Sequence, residues 1–414
     1  MAPFNVLVVG GNGFLGSAIC KALLSHSSAP AVTAAATGAG ASLSMPLPKH
    51  GEIRVTSVSP SGRPFVSPAG HRPAWSLSTN MRWEKGDVVR SPLSSPDLGS
   101  PQHHLAQLVD EADAIVHTVG ILLESDYKPA ASSPSSSRHG TNSGSFGEIA
   151  RGVLRGWGIS DNSNPLRERP LTGKGKEREM TYENMNTRAA LNVANLFASK
   201  LQRLSKSESS YSSSEQKTQP TFVYISASDI FQPFISRRYI ESKREAERGI
   251  SELAAQYLQK SGSSYITGGD VHQSLFKPIF MRPGLMYHPH TRPLSTLPAA
   301  LLDLSSSLHA SIARNLPFLP TPASLLLNPH SPLNTSSSEE ARRSLARLLT
   351  SAPLHVDTVA KAVVQSVLDT GVAPGAKDVE EIKRLAGWNL PEDATAASTA
   401  FGTAQTHANG NAHL

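Results

Sequence analysis

Phe4-Asn5-Val6-Leu7-Val8-Val9-Gly10-Gly11-Asn12-Gly13-Phe14-Leu15-Gly16 decides how this chain folds. An apolar run of strand length meets three glycines spaced G-x-x-G-x-x-G. Ser17-Ala18-Ile19-Cys20-Lys21-Ala22-Leu23-Leu24 then follows with helical spacing. Glycine permits a tight turn and lets backbone approach a diphosphate, while the next helix turns its free N–H groups and positive dipole end toward it. A glycine triplet alone is weak evidence. Directly after a buried-type strand it predicts a dinucleotide site better than it predicts an empty glycine-rich turn.

Working outward, a second strand is predicted at Ile53–Ser59 in preference to Ala31–Ala36, because Val and Ile suit a core strand better than Ala. Further strands are predicted at Arg82–Val88, Ala114–Gly120, Thr221–Ser226 and Ile279–Arg282. Helices are expected around His104–Glu111, Thr181–Lys200 and Arg238–Leu258. Met185, Ala189, Val193 and Leu196 give the second of these an apolar stripe. Strands alternating with helices imply an α/β, doubly wound parallel sheet. Leu297, Leu301, Leu304, Leu308, Ile312, Leu316 and Leu319 form one helical stripe with Arg314 as its only Lys or Arg, favouring a packed helix over an in-plane membrane helix. A last helix is expected at Asp357–Leu368, with Asp357 as N-cap and Gly371 just past its end.

Composition marks the divisions. Residues 1–285 read as an NAD(P)-binding Rossmann domain carrying low-order polar insertions at 27–51, 129–178, 203–220 and 259–275. Residues 286–390 read as a small, mostly helical C-terminal subdomain, and 391–414 as a low-order tail. The chain has 414 residues, 39% hydrophobic and 17% charged, as in a soluble globular protein with polar insertions. Its net charge of +6 and pI of about 9.4 suit a mitochondrial matrix or an anionic surface. The basic residues form no stripe with interleaved aromatics, so nucleic acid is not an expected partner. A single cysteine, Cys20, rules out an intrachain disulfide and a cysteine-based zinc site, and no metal is expected. Buried on the first helix, it is expected to be an inert thiol. No apolar run reaches membrane-spanning length. No presequence is expected ahead of the first strand, so import into an organelle would need an internal signal.

Tyr239-Ile240-Glu241-Ser242-Lys243 places a phenol and an ammonium on one helix face. A nearby lysine favours the phenolate, letting tyrosine exchange a proton with a carbonyl or alcohol while a nicotinamide exchanges hydride. Alone, the pair is common, and Arg237, Arg238, Glu241, Arg244, Glu245, Glu247 and Arg248 make the helix look like a solvated face. Its position after the fifth strand, with Ser226 thirteen residues upstream, gives it weight. His117, within a strand, is expected to be a hydrogen-bonded core histidine rather than a base.

With the glycine turn, Gly86-Asp87, Val116-His117-Thr118-Val119-Gly120, Asn186, Ser226, Tyr239, Lys243, Arg282-Pro283-Gly284 and His355-Val356-Asp357-Thr358-Val359-Ala360, the chain resembles the extended and atypical branches of the short-chain dehydrogenase/reductase superfamily. Ile121-Leu122-Leu123-Glu124, Tyr182-Glu183-Asn184-Met185-Asn186, Tyr224-Ile225-Ser226-Ala227 and Tyr239 through Glu247 narrow this further. They resemble a fungal mitochondrial branch associated with the coenzyme Q biosynthetic complex and related to the NADPH-binding accessory subunit of respiratory complex I.

The resemblance implies a peripheral protein on the matrix side of the inner mitochondrial membrane, with ubiquinone-biosynthesis proteins as partners. It implies that Gly10, Gly13, Phe14, Leu15 and Gly16 hold the pyrophosphate, Asp87 and Val88 border the adenine, and Thr118 and Gly120 lie along the ribose and nicotinamide. Pro283 and Gly284 would close the nicotinamide end, and Ser226, Tyr239 and Lys243 would form the catalytic group, with the tyrosine and lysine also touching the cofactor. Two departures stand out. Where an NAD enzyme ends its second strand in Asp or Glu, this chain has Ser59-Pro60-Ser61-Gly62-Arg63, so NADP is favoured over NAD, with Ser59 and Arg63 at the 2′ position. The short Ser226–Tyr239 spacing, filled by Phe231, Pro233 and Phe234, favours an accessory role over an active oxidoreductase; an interaction protein with a vestigial site is the third alternative.

Overall fold

The computed structural model describes residues 3–27, 52–89, 101–121, 181–208, 219–229, 237–260, 274–289, 296–315, 321, 343, 346–347 and 349–388. The expected insertion at 129–178, nearly all of that at 27–51, the rival strand Ala31–Ala36, the tail 391–414 and the residues Phe231, Pro233, Phe234, Leu316 and Leu319 lie outside them.

In chain order the elements are β1 (Phe4–Val9), α1 (Phe14–Ser27), β2 (Ile53–Ser59), β3 (Met81–Lys85), α2 (Pro101–Glu111) and β4 (Ala114–His117). A π-helical turn (Glu183–Arg188) then runs into α3 (Ala189–Glu208), followed by β5 (Thr221–Ile225), α4 (Arg237–Lys260), β6 (Lys277–Met281), β7 (Met286–Tyr287) and α5 (Thr296–Asn315). The last elements are β8 (Leu354–His355), α6 (Val356–Leu368), β9 (Gly375–Lys377) and α7 (Val379–Leu385). Seven strands form one sheet in the order β3-β2-β1-β4-β5-β6-β9, every pair parallel. Strand order reverses between β1 and β4, the switch point at which such sheets bind nucleotides.

Both faces of the sheet are covered, which is why its strands are nearly continuous in apolar residues. Val6 and Val8 of β1 point to a core shared with Ile19, Leu23, Val359 and Val363, while Leu7 and Val9 point to one shared with Leu105, Val193, Phe197 and Ile250. In the second core Phe197, Phe222 and Phe276 pack mutually, with ring centroids 5.6 to 6.3 Å apart.

Several expectations shift. The third strand stops at Lys85 rather than Val88: Gly86 N–H makes the last ladder bond, to Ser59 O at 3.0 Å, and β2 itself ends at Ser59, leaving Asp87 and Val88 no strand to pair with. The fourth ends at His117, where the Thr118 hydroxyl bonds back to Val9 O at 2.8 Å. The sixth begins two residues early: Lys277 N–H donates to Pro220 O on the β5 side, so Pro278 turns its donor-free nitrogen toward β9, whose pairing starts only at Ile279. Residues 203–208, expected in a polar insertion, continue α3, held by Leu201 against the core and by the Arg203–Asp110 ion pair. The N-cap of α6 is His355, whose Nδ1 accepts Asp357 N–H at 3.2 Å, and not Asp357. The expected division after residue 285 is crossed as well. β9 extends the main sheet and α6 packs on α1, so residues 356–385 complete the Rossmann core.

Phe222→Ala should therefore destabilise the protein by about 3–5 kcal/mol in chemical denaturation, through loss of a central ring and the cavity left behind. Leu77→Ala, at an exposed position, should change stability by less than about 0.5 kcal/mol.

Candidate functional site

The glycine turn has the geometry that a diphosphate site requires. Gly10 has φ +87°, and its N–H continues the ladder to Val58 O at 2.8 Å. Gly13 N–H folds back onto Gly10 O at 2.9 Å, and Ser17 N–H bonds Gly13 O at 2.9 Å. A β-carbon on Gly16 would lie 2.2 Å from Gly10 O, so only glycine lets α1 approach the turn this closely. Phe14 and Leu15 send their side chains into the core, leaving main chain as what they can offer a ligand. These residues fit a nicotinamide dinucleotide: a helix N-terminus offers main-chain N–H groups and a positive dipole end, and the first turn of α1 follows β1 at the switch point.

Beside the turn, the end of β2 carries no carboxylate. Ser59 is buried and its hydroxyl accepts Gly62 N–H at 3.1 Å, while Asn12 reaches across to Ser61 at 3.2 Å. Arg63 is exposed, four residues past the strand end. On the next strand end, Asp87 accepts Val89 N–H at 3.0 Å, and buried Val88 has its carbonyl held by Asn192 at 3.0 Å. Gly120 is cramped from the far side: a β-carbon there would lie 2.6 Å from Lys243 Nζ and 2.7 Å from Asn186 Oδ1.

Asn186, quoted above only as part of the resemblance, organises this wall. From the π-helical turn its side chain accepts Ile121 N–H at 2.9 Å and donates to Ile121 O at 3.3 Å and to the Ser242 hydroxyl at 3.0 Å. Its own carbonyl accepts the Tyr224 hydroxyl at 2.8 Å. An asparagine inside an otherwise apolar helix stripe was the signal available in the sequence.

Tyr239 and Lys243 do share one face of α4. The ammonium sits 6.0 Å from the Tyr239 ring centroid and 4.8 Å from that of Tyr224, and donates to Ile225 O at 3.0 Å. Burial pushes Lys243 down from the ordinary 10.5 to about 7, against the opposing pull of Glu247. Tyr239, edge-on to Tyr182 at 5.8 Å, has its phenol pushed above the ordinary range by loss of hydration and, secondarily, by Tyr182. Ser226 is engaged elsewhere: its hydroxyl accepts from Arg244 at 2.9 Å. Arg244 also binds Asp229 at 2.6 Å, Ala227 O at 2.8 Å and the buried carboxylate of Glu247 at 2.8 Å, and Arg282, the residue after β6, grips Glu247 as well. Arg244 and Glu247, which looked like part of a solvated face, form the centre of this network. Pro283, next to Arg282, is fixed by Ser228 N–H at 3.0 Å, and Gly284 is buried beside it.

His117 is fully buried as expected, yet neither ring nitrogen has a hydrogen-bond partner, which corrects the expected satisfied histidine. The Tyr224 ring lies 5.7 Å away, but its hydroxyl goes to Asn186. Burial and then the Lys243 charge push His117 down to about 3, so it stays neutral. Cys20 is buried as expected, its thiol pushed up by loss of hydration, and is inert.

Strand order, glycine turn and the Tyr239/Lys243 face together define a Rossmann protein of the extended short-chain dehydrogenase/reductase type. The chain is 30% identical over 287 residues to MIOREX complex component 2 of Saccharomyces cerevisiae, spanning 69% of this chain and 74% of the yeast protein, and it belongs to that family. No protein-family model matches. Similar solved structures include a UDP-glucuronic acid 4-epimerase from Bacillus cereus (12% identity, 91% of this chain and 77% of that one, TM-score 0.39). Another is a short-chain dehydrogenase/reductase from Mycobacterium ulcerans (14% identity, 92% and 90%, TM-score 0.38). Among the described residues no helix is long and apolar enough to cross a membrane.

Lys243 gives the site a pH signature. The unfolded chain keeps this proton to near pH 10.5, and the folded chain releases it near 7. Between those values the unfolded state holds more protons, so stability climbs with pH; below about 7 the penalty of the buried charge is complete. Unfolding free energies at pH 7 and pH 9.5 should therefore rise in the wild type relative to Lys243→Met, and parallel curves would contradict the assignment.

Proposed function

We propose that this protein binds a nicotinamide dinucleotide, NADP in preference to NAD, and serves as an accessory component of the mitochondrial machinery that makes ubiquinone. The observation that carries the reading is the Gly16–Gly10 contact, which sets the first turn of α1 against an open glycine corner. When bound, the coenzyme would supply a hydride donor or acceptor. Around it, Gly10, Gly13 and Gly16 bring main-chain amides to the diphosphate, Asp87 and Val88 border the adenine, and Thr118 and Gly120 line the ribose path. Pro283 and Gly284 close the far end. Ser59 and Arg63 suit a 2′-phosphate, because a carboxylate at the end of β2 would repel one and a guanidinium attracts it.

An accessory role is supported by how the chain spends its polar groups. Ser226 is held by Arg244, Lys243 donates to a backbone carbonyl, and the Tyr239 phenol is harder to ionise than a free one. Membership in a family with a protein named as a complex component supports function within an assembly. The resemblance to the coenzyme Q-associated branch supports a matrix-side site at the inner membrane. Exposed Leu304 and Leu308, one turn apart on α5, and the +6 charge suit peripheral contact there. A second reading, an NADP-dependent reductase acting on a quinone-ring intermediate, is favoured by the shared face of Tyr239 and Lys243.

Calorimetric titration should give tighter binding of NADPH than of NADH, and Arg63→Ala should lower that preference by about tenfold or more. In cells, Tyr239→Phe is expected to leave both complex assembly and ubiquinone content near wild type. Loss of ubiquinone with intact assembly would replace the accessory reading with the reductase one.

A further inference from the structure

The two-residue parallel pair β7–β8 has a consequence outside the nucleotide site. Its register sets Tyr287 beside His355, so His288, the next residue, reaches the side of His355, and Asp357 follows two residues later in the first turn of α6. The imidazoles of His288 and His355 have centroids 5.0 Å apart at an interplanar angle of 36°. Asp357 Oδ2 lies 3.8 Å from His355 Nδ1. One ligand-capable atom from each of the three residues lies within 4.8 Å of the others, and all three side chains are half-buried. Tyr287 meets the His355 ring edge-on at 5.3 Å and limits its rotation.

We infer that His288, His355 and Asp357 form a binding site for a divalent transition metal of the zinc class. Two imidazoles and one carboxylate are a zinc-type donor set, whereas magnesium and calcium prefer all-oxygen shells. With metal–nitrogen distances of about 2.0–2.1 Å, tetrahedral ligand atoms sit about 3.3 Å apart, so the cluster needs to close by about an ångström or so. Half-burial leaves the fourth position to water. His355 Nδ1 turns its lone pair to the Asp357 N–H at 3.2 Å, and metal ligation there exchanges this helix cap for a coordinate bond. The positive end of α6 opposes a cation, and the Asp357 carboxylate offsets it. A bound ion would tie the segment after Gly284 to α6, which packs on the helix of the glycine turn. This inference is independent of the nucleotide reading and reverses the expectation that no metal binds.

The test uses the full chain, stripped with chelator and dialysed against zinc chloride, with bound metal counted by elemental analysis. The wild type should hold about one equivalent, show the visible absorption of tetrahedral cobalt on Co²⁺ replacement, and gain thermal stability from zinc but not from magnesium. His288→Ala and His355→Asn should each weaken zinc binding by about tenfold or more. Asparagine remains a good N-cap, so His355→Asn separates ligation from helix capping. His71→Ala, at an exposed surface histidine, should change nothing. Equal zinc retention in wild type and in the His288→Ala/His355→Asn double variant, with unchanged circular dichroism, would overturn the site. So would an equal loss in His71→Ala.

Discussion

One steric contact organises the molecule: the carbonyl of Gly10 occupies the space a β-carbon would need at residue 16. That approach fixes α1 against the ends of β1 and β2, and the α1 side chains Ile19 and Leu23 then pack with Val359 and Val363 of α6. Residues 356–385, with β9 at the sheet edge, are thereby recruited to the same core. The first turn of α1 is also set at the switch point, so the fold and the proposed ligand site follow from one close packing of backbone on backbone.

Opposite the turn, the site is built from buried polar groups that largely satisfy one another. Glu247 is held by Arg244 on its own helix and by Arg282 just past β6, and Arg244 spans to Ser226 and Asp229. Removing one member would leave a buried charge without its partner, a costlier change than deleting an exposed ion pair. Lys243 and His117 both lie against the Tyr224 ring, and both are pushed toward neutrality by burial. A wall so closely paired holds its shape, which suits holding a coenzyme.

How much of this could be read from the residues depends on the range of the interaction. β1 and β2 were legible to the residue, since Val- and Ile-rich segments bounded by glycine or polar residues carry a local signal. β9 was not, because Gly375-Ala376-Lys377 has no strand-forming side chains and exists through pairing with β6. The helix cap at His355 was missed because histidine is an uncommon cap and Asp357 offered a more usual one. In the site, the glycine corner and the Tyr239/Lys243 face follow from spacing together with position after β1 and β5. The Arg244–Ser226 bond and the meeting of His288 with His355 do not, since each depends on how strands are registered in space.

The central claim is that the β1–α1 corner grips a dinucleotide through main-chain amides. Amide hydrogen–deuterium exchange across residues 10–20, with and without saturating NADPH, tests it most directly. The account expects marked slowing at Gly13 through Ser17, abolished in Gly16→Val. Exchange in that segment unchanged by either reduced or oxidised coenzyme would contradict it.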